Sequence, residues 1–255
     1  MSVEAPGETP RAIDDGAFDL GEGPAAALCL HGLTGRPYEI RPVAEALVRR
    51  GMRALGPMLP GHEGPAEHLA DTSHEDWLAA AREALAELRA QHTSVFVAGL
   101  SMGGLLALEL ASEQPVNALA VIATPLALRF PIPQLVPLAK RALRFLPKRG
   151  SDIRDPVARA RHPSLRVMPL ASVHELMRLQ QRVRRALPRI ESPILIAHGV
   201  HDATANPQDA RTIEASVSSH VRELLILEDS AHIVPVDHDG ARLAEAVSAF
   251  FDRFA

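Results

Sequence analysis

Cysteine is nearly missing. Cys29 is the only one in 255 residues, so no intramolecular disulfide can form and none supports the fold. Inside an apolar run, this lone thiol reads as a small buried side chain. Long hydrophobic runs are missing too, none approaching the about 18 residues that a membrane-spanning helix needs. Met1 to Pro24 is rich in Glu, Asp, Gly and Pro and has no basic stretch leading into an apolar one, unlike a signal peptide, so a soluble cytoplasmic protein is expected. Metal-ligand spacing is also lacking. The twelve histidines include no His-x-x-x-His or His-Glu-x-x-His pair, and no cysteine pair exists, so neither a metal nor a cofactor is expected. The net charge of −4 excludes no partner class by itself, and no nucleic acid is expected as a partner.

What the chain does have is apolar residues, at 47%, enough to bury a large core in one globular domain with an insertion. The stretch that organises the rest is Ser94 to Gly104. An apolar β-type run ends in Gly99-Leu100-Ser101-Met102-Gly103 and passes at once into helical periodicity at Leu105, Leu106, Leu108 and Leu110. Strand, G-x-S-x-G and helix together form a nucleophile elbow, whose sharp turn lifts a serine hydroxyl above the sheet. Ser101 is the candidate nucleophile. Glycine is needed at 99 and 103 because strand and helix backbones pass too close for a Cβ.

Around this stretch, strands and helices alternate. Ala17 to Leu20 predicts a short edge strand, Ala25 to Leu30 a fully buried one, Tyr38 to Arg50 a helix stopped by Gly51, and Met52 to Leu55 another strand. Pro57 to Gly64 is an irregular loop. Thr72 or Ser73 with Glu75 or Asp76 makes a capping box for a helix whose buried stripe is Trp77, Leu78, Ala81, Leu85 and Leu88. Later strands are expected at Ala118 to Ala123, Pro193 to Ala197 and Glu223 to Leu227, with a last amphipathic helix through Leu243, Val247, Phe250, Phe251 and Phe254. The pattern predicts an α/β fold with a mostly parallel, doubly wound sheet and right-handed crossovers. Between Pro125 and Arg189 the alternation stops amid prolines that include 131, 133, 137, 147, 156, 163 and 169, with helical pieces near 134–146 and 172–187. The expected division is a core of residues 1–125 and 190–255 and a short helical cap of 126–189.

A serine hydroxyl needs a base, and the base needs an acceptor on its other ring nitrogen. In open α/β sheets such groups gather beyond the carboxyl ends of the strands. One strand runs into His198-Gly199-Val200-His201-Asp202 and the next into Glu228-Asp229-Ser230-Ala231-His232, so Asp202 is assigned as the orienting acid and His232 as the base. Asp229 and Asp237 compete as acids, but both share a loop with His232 and face its ring awkwardly. His31, His62 and His198 are expected to organise loop backbone, His201 to neighbour Asp202, and His238 to lie late in a loop or at a helix start. The oxyanion of an acyl-transfer intermediate needs two backbone N–H donors. Met102, at the start of the elbow helix, supplies one, and Leu33, in His31-Gly32-Leu33-Thr34-Gly35, the other.

These residues resemble the α/β-hydrolase superfamily, and within it small bacterial carboxylesterases and monoacylglycerol lipases. The similarity runs through His31 to Pro37, Gly61-His62, Asp76-Trp77, Ser101-Met102, Gly150-Ser151-Asp152-Ile153 with Pro156, the loop of Asp202, and Ser230-Ala231-His232. It implies an α/β-hydrolase fold and a serine hydrolase of small acyl esters, with Ser101, Asp202 and His232 as triad, oxyanion donors at Leu33 and Met102, and a short cap over an acyl pocket. An acyl thioesterase needs the same residues. A serine peptidase fits less well without a large gating domain, and a non-catalytic binding protein fits poorly with an intact Ser, Asp and His set. One departure stands out: the lipases have a cap glutamate shortly after the proline matching Pro156, and here no Asp or Glu occurs between Pro156 and His174.

Charge is distributed unevenly. Arg129 to Arg189 holds 13 Arg and 2 Lys against Asp152, Asp155 and Glu175, a balance of +12 that leaves −16 for the rest. The arginines either pair with carboxylates of the core or, with Leu135, Val136, Leu138, Leu143, Phe145 and Leu146, bring the cap to an anionic membrane surface or an anionic substrate.

Overall fold

Alternate residues of the central strands feed two different cores, and that is why these strands are apolar throughout. The computed structural model describes residues 14–255 except positions 130 and 149. Its strands are β1 (Phe18–Leu20), β2 (Ala25–Leu30), β3 (Arg53–Gly56), β4 (Ser94–Leu100), β5 (Leu119–Ile122), β6 (Phe145–Pro147), β7 (Val167–Pro169), β8 (Ile194–Gly199) and β9 (Arg222–Leu227). Seven of them form one sheet in the order β1-β3-β2-β4-β5-β8-β9, parallel except for β1, which is antiparallel to β3 at the edge.

The helices are α1 (Arg41–Arg49), α2 (Ala66–Ala70), α3 (His74–Gln91), α4 (Met102–Glu113), α5 (Ile132–Ala139), α6 (Pro156–Arg161), α7 (Leu170–Ala186), α8 (Gln208–Ser216) and α9 (Gly240–Asp252). On one face of the sheet Leu28, Leu30 and Val97 meet α3, α4, α7 and α8 through Trp77, Leu105, Leu179 and Ile213. On the other, Ala27, Cys29, Phe96 and Ala98 meet α1 and α9 through Val43, Leu47, Val247 and Phe251. Phe96 stacks on Phe251 with ring centroids 4.8 Å apart. The capping box at the start of α3 is made by Ser73 and Asp76, and Trp77 donates from its indole to the Pro60 carbonyl at 3.1 Å, tying the irregular loop to that helix.

Between β5 and β8 the chain leaves the sheet. The expected helix near 134–146 stops at Ala139, because the chain then enters β6, which pairs antiparallel with β7, and Pro147 cannot continue a helix. The strand expected from Met52 starts at Arg53, the helix expected from Tyr38 begins as a short 3-10 turn at Pro37–Glu39, and the last helix ends at Asp252, short of Phe254. The short helices α2, α6 and α8 and the β6–β7 pair carry too few periodic residues to register in the sequence. Among the described residues no helix is long and apolar enough to cross a membrane.

Candidate active site

Ser101 occupies the single step between the last residue of β4 and the first of α4, with φ 55° and ψ −113°. A non-glycine residue there costs about 1–3 kcal/mol and persists only where its surroundings over-determine it. They do so here: Ser101 N–H donates to the Ile122 carbonyl of β5 at 2.8 Å, and the Ser101 carbonyl accepts from Gly104 and Leu105 at 3.0 and 3.2 Å. A Cβ on Gly99 would stand 2.1 Å from the Gly103 carbonyl oxygen, and one on Gly103 would stand 2.1 Å from that of Leu30. The close approach of helix to strand therefore depends on both glycines.

Three groups converge on this turn. Ser101 Oγ lies 2.9 Å from His232 Nε2, and His232 Nδ1 lies 2.8 Å from Asp202 Oδ2. With Nδ1 donating to the carboxylate, Nε2 is left as the acceptor for the serine hydroxyl. The other oxygen of Asp202 accepts from Thr204 N–H at 2.8 Å and Ala205 N–H at 2.7 Å. Burial pushes the Asp202 carboxyl up, but the charge and hydrogen bond of His232, with His198 close beside, hold it well below the usual carboxylate range. Burial pushes the His232 imidazole down, and the Asp202 charge and hydrogen bond outweigh that and raise it above its ordinary value.

The competing acids sit elsewhere. Asp229 is exposed and pairs with Arg154. Asp237 is buried and accepts from the backbone N–H groups of Arg154, Asp155, Ala231 and His238 at 2.8 to 2.9 Å, fastening the base-bearing loop to the segment before α6. His31 and His62 do organise loop backbone: His31 Nδ1 donates to the Gly32 carbonyl at 3.0 Å while Nε2 accepts from Leu59 N–H at 3.1 Å, and His62 Nδ1 lies 3.1 Å from the Pro60 carbonyl. The neighbour of Asp202 is His198 and not the expected His201. His201 is exposed, whereas buried His198 brings Nε2 to 2.9 Å from Asp202 Oδ2, because residues 198 and 202 straddle the turn at the end of β8.

Leu33 lines the same cavity as Ser101, and Met102 follows Ser101 in the chain. Among the described residues neither backbone N–H is taken up by a protein acceptor, and Met102 is the first residue of α4, where N–H groups are unpaired and the helix dipole favours an anion. Ser101, His232 and Leu33 line a cavity of about 400 Å³ whose walls include Leu128, Val136, Met168, Val173 and Leu176.

Three polar residues of this cavity or its wall, Asp152, Glu39 and Lys148, are given no role by the sequence reading. Asp152 accepts through its backbone carbonyl from His232 and Ile233 N–H and through its carboxylate from Ala203 N–H and Thr204 Oγ1 at 2.9 and 2.8 Å, so it links the loop of Asp202 to the loop of His232. Glu39, 3% exposed, stands behind the Leu33 loop, 3.4 Å from Gly32 N and 2.9 Å from His162 Nε2. Lys148 lines the cavity near Thr34. These contacts join residues far apart in the chain, and local periodicity does not report them.

The family described as "Serine aminopeptidase, S33" matches residues 22–239 of the chain. A thermostable monoacylglycerol lipase of Bacillus sp. (strain H-257) is 32% identical over 93% of this chain and 94% of its own length. A carboxylesterase of Bacillus subtilis (strain 168) is 25% identical over 92% and 96%. Among solved structures, one from a study of two metagenome-derived lipolytic enzymes, LipS and LipT, superposes with a TM-score of 0.89 at 27% identity, covering 94% of this chain and 98% of that one.

Proposed function

The chain belongs to the serine aminopeptidase S33 family of α/β hydrolases and is a carboxylic-ester hydrolase, and we propose that Ser101, His232 and Asp202 carry its chemistry. The observation that carries this proposal is the unbroken line from Ser101 Oγ to His232 Nε2 at 2.9 Å and from His232 Nδ1 to Asp202 Oδ2 at 2.8 Å, opening on an apolar cavity.

Ser101 Oγ attacks the acyl carbon while His232 Nε2 takes the hydroxyl proton. The carbonyl oxygen becomes an oxyanion received by the N–H groups of Leu33 and Met102, each contributing about 3 kcal/mol of transition-state stabilisation. The imidazolium, stabilised by Asp202, then gives its proton to the alcohol as the C–O bond breaks. Water attacks the acyl-enzyme, His232 takes the water's proton and returns it to Ser101 Oγ, and the acid leaves. Thioesters would pass through the same steps.

Residues 126–189 act as the cap. Several of its arginines pair with carboxylates of the core: Arg144 with Asp71, and Arg182 with Glu75, Glu109 and Glu113. Other parts stay open to solvent, with Leu135 and Leu138 57% and 70% exposed beside Lys140 and Arg141, and these suit contact with an anionic lipid surface.

A fluorophosphonate probe should label the wild type and not Ser101→Ala, and a panel of p-nitrophenyl esters of graded chain length with matched thioesters should rank the acyl groups. Labelling that persists in Ser101→Ala would remove Ser101 from the nucleophile's place. Vesicle binding that is equal with and without anionic lipid at low salt would remove the membrane contact.

A further inference from the structure

The cavity has two unlike walls. Val136, Leu170 and Val173, with Leu128 and Met168 packed against them, form an apolar cluster. Thr34, Glu39, Lys148, Ser151 and Asp152 belong to the cavity's polar lining. An ester divides in the same way, into an acyl chain and an alcohol. Since the apolar wall takes an apolar chain, the polar wall faces the alcohol.

The charges on that wall are unequally satisfied. Glu39 has His162 Nε2 at 2.9 Å and Gly32 N–H at 3.4 Å. Asp152 accepts from Ala203 N–H and Thr204 Oγ1 at 2.9 and 2.8 Å. Ser151 Oγ lies 2.7 Å from His162 Nδ1. Lys148 has only neutral acceptors: its ammonium donates to Thr34 Oγ1 at 2.8 Å and Ser164 Oγ at 3.5 Å, and its third N–H has no acceptor among the described residues. No carboxylate among the described residues forms an ion pair with this partly buried cation; burial lowers its pKa, and the charge of Glu39 opposes that only in part. It also lies within a segment whose balance is +12.

We propose that the enzyme takes acyl esters whose alcohol part carries an anionic group, a carboxylate or a phosphate, received by Lys148 beside Thr34 and Ser151 on the polar wall of the catalytic cavity. This rests on Ser101 being the nucleophile of an ester hydrolase. Lys148 is then the specificity-determining residue of the alcohol side, where a neutral polyol would leave its charge unpaired. The competing role is structural: through Thr34, Lys148 could serve only to staple the Leu33 loop to the cap.

The test uses three octanoyl esters with the same acyl group, those of glycerol, glycerol phosphate and lactate. The wild type should prefer one or both anionic esters over the glycerol ester in kcat/KM by about tenfold or more, the size of one charge-assisted hydrogen bond. Lys148→Met should collapse that ratio by about 10- to 100-fold, chiefly through KM, and Lys148→Arg should restore most of it. Preference for the phosphate or for the lactate ester identifies which anion the wall receives. A wild-type ratio near one overturns the proposal with no variant needed, and so does an equal loss on all three esters in Lys148→Met, the mark of a staple. If the wild type turns over none of the three and takes no fluorophosphonate at Ser101, the ester-hydrolase assignment fails first and the proposal falls with it.

Discussion

The backbone carbonyl of Asp152 accepts the N–H of His232 at 3.1 Å, so the loop that bears His232 is hung from the segment before α6, which lines the cavity. Asp237 reinforces the same joint by gathering N–H groups from Arg154 and Asp155 on one side and Ala231 on the other. The position of the imidazole is therefore a property of two segments held together.

Ser101→Ala and His232→Ala should each lower kcat by about 10⁴- to 10⁶-fold, with their combination little worse than either alone, because members of a triad act as a unit. The melting temperature of Ser101→Ala should stay near wild type, while His232→Ala, which leaves buried Asp202 without its partner, should lower it. Additive losses in the double variant would argue against a shared proton path.

Asp202→Asn should cost about 10⁴-fold in turnover by favouring the wrong imidazole tautomer while the protein stays folded. Asp237→Ala should do the reverse, destabilising by about 3 kcal/mol or more because four backbone donors lose a buried charged acceptor. Denaturant unfolding and steady-state kinetics on both variants separate the two outcomes. Normal turnover in Asp202→Asn would transfer the acid's role elsewhere.

Leu33→Pro removes a backbone donor and should be nearly inactive, whereas Leu33→Ala, which keeps the N–H, should retain most of the chemistry with an altered acyl preference. Circular dichroism must show the proline variant folded. An active, folded Leu33→Pro enzyme would take Leu33 out of the oxyanion site.

Activity requires the neutral imidazole, and the His232 pKa is raised above 6.5, so kcat/KM should climb with pH along a limb centred above that value. The same shift has the opposite sign for stability. A group that binds its proton more tightly when folded stabilises the fold fully below 6.5, and that contribution is lost as pH rises through the higher folded value. Replacing Asp202 by Asn removes the main cause of the upward shift and leaves burial, so the residual activity should show its acid limb at lower pH. A limb unmoved by that substitution would mean another group titrates.

Gly103→Ala places a Cβ 2.1 Å from the Leu30 carbonyl oxygen, a backbone atom that cannot swing aside. It should destabilise the fold by about 3 kcal/mol or more and shift Ser101 enough to abolish turnover. A stable, fully active variant would show that the approach of α4 to β2 is looser than described.

The elbow, the capping box of α3, the apolar strands and the loop placements of Asp202 and His232 were legible in the sequence because each is set by residues close together in the chain: glycines where backbones cross, a serine and an aspartate three apart, side chains alternating along a strand. The tertiary structure decided the rest. Ser101 and His232 are 131 residues apart and His232 and Asp202 are 30 apart, and only the mutual placement of β4, β8 and β9 puts them in contact and leaves Asp237 to a structural role. The same holds for His198 in place of His201, for the pairing of β6 with β7 where helical periodicity had suggested a longer helix, and for Glu39 and Lys148, which no motif marks. Periodicity and turn chemistry report the geometry of a few neighbouring residues. A charge acquires its role from whichever distant segment the packed sheet brings to it.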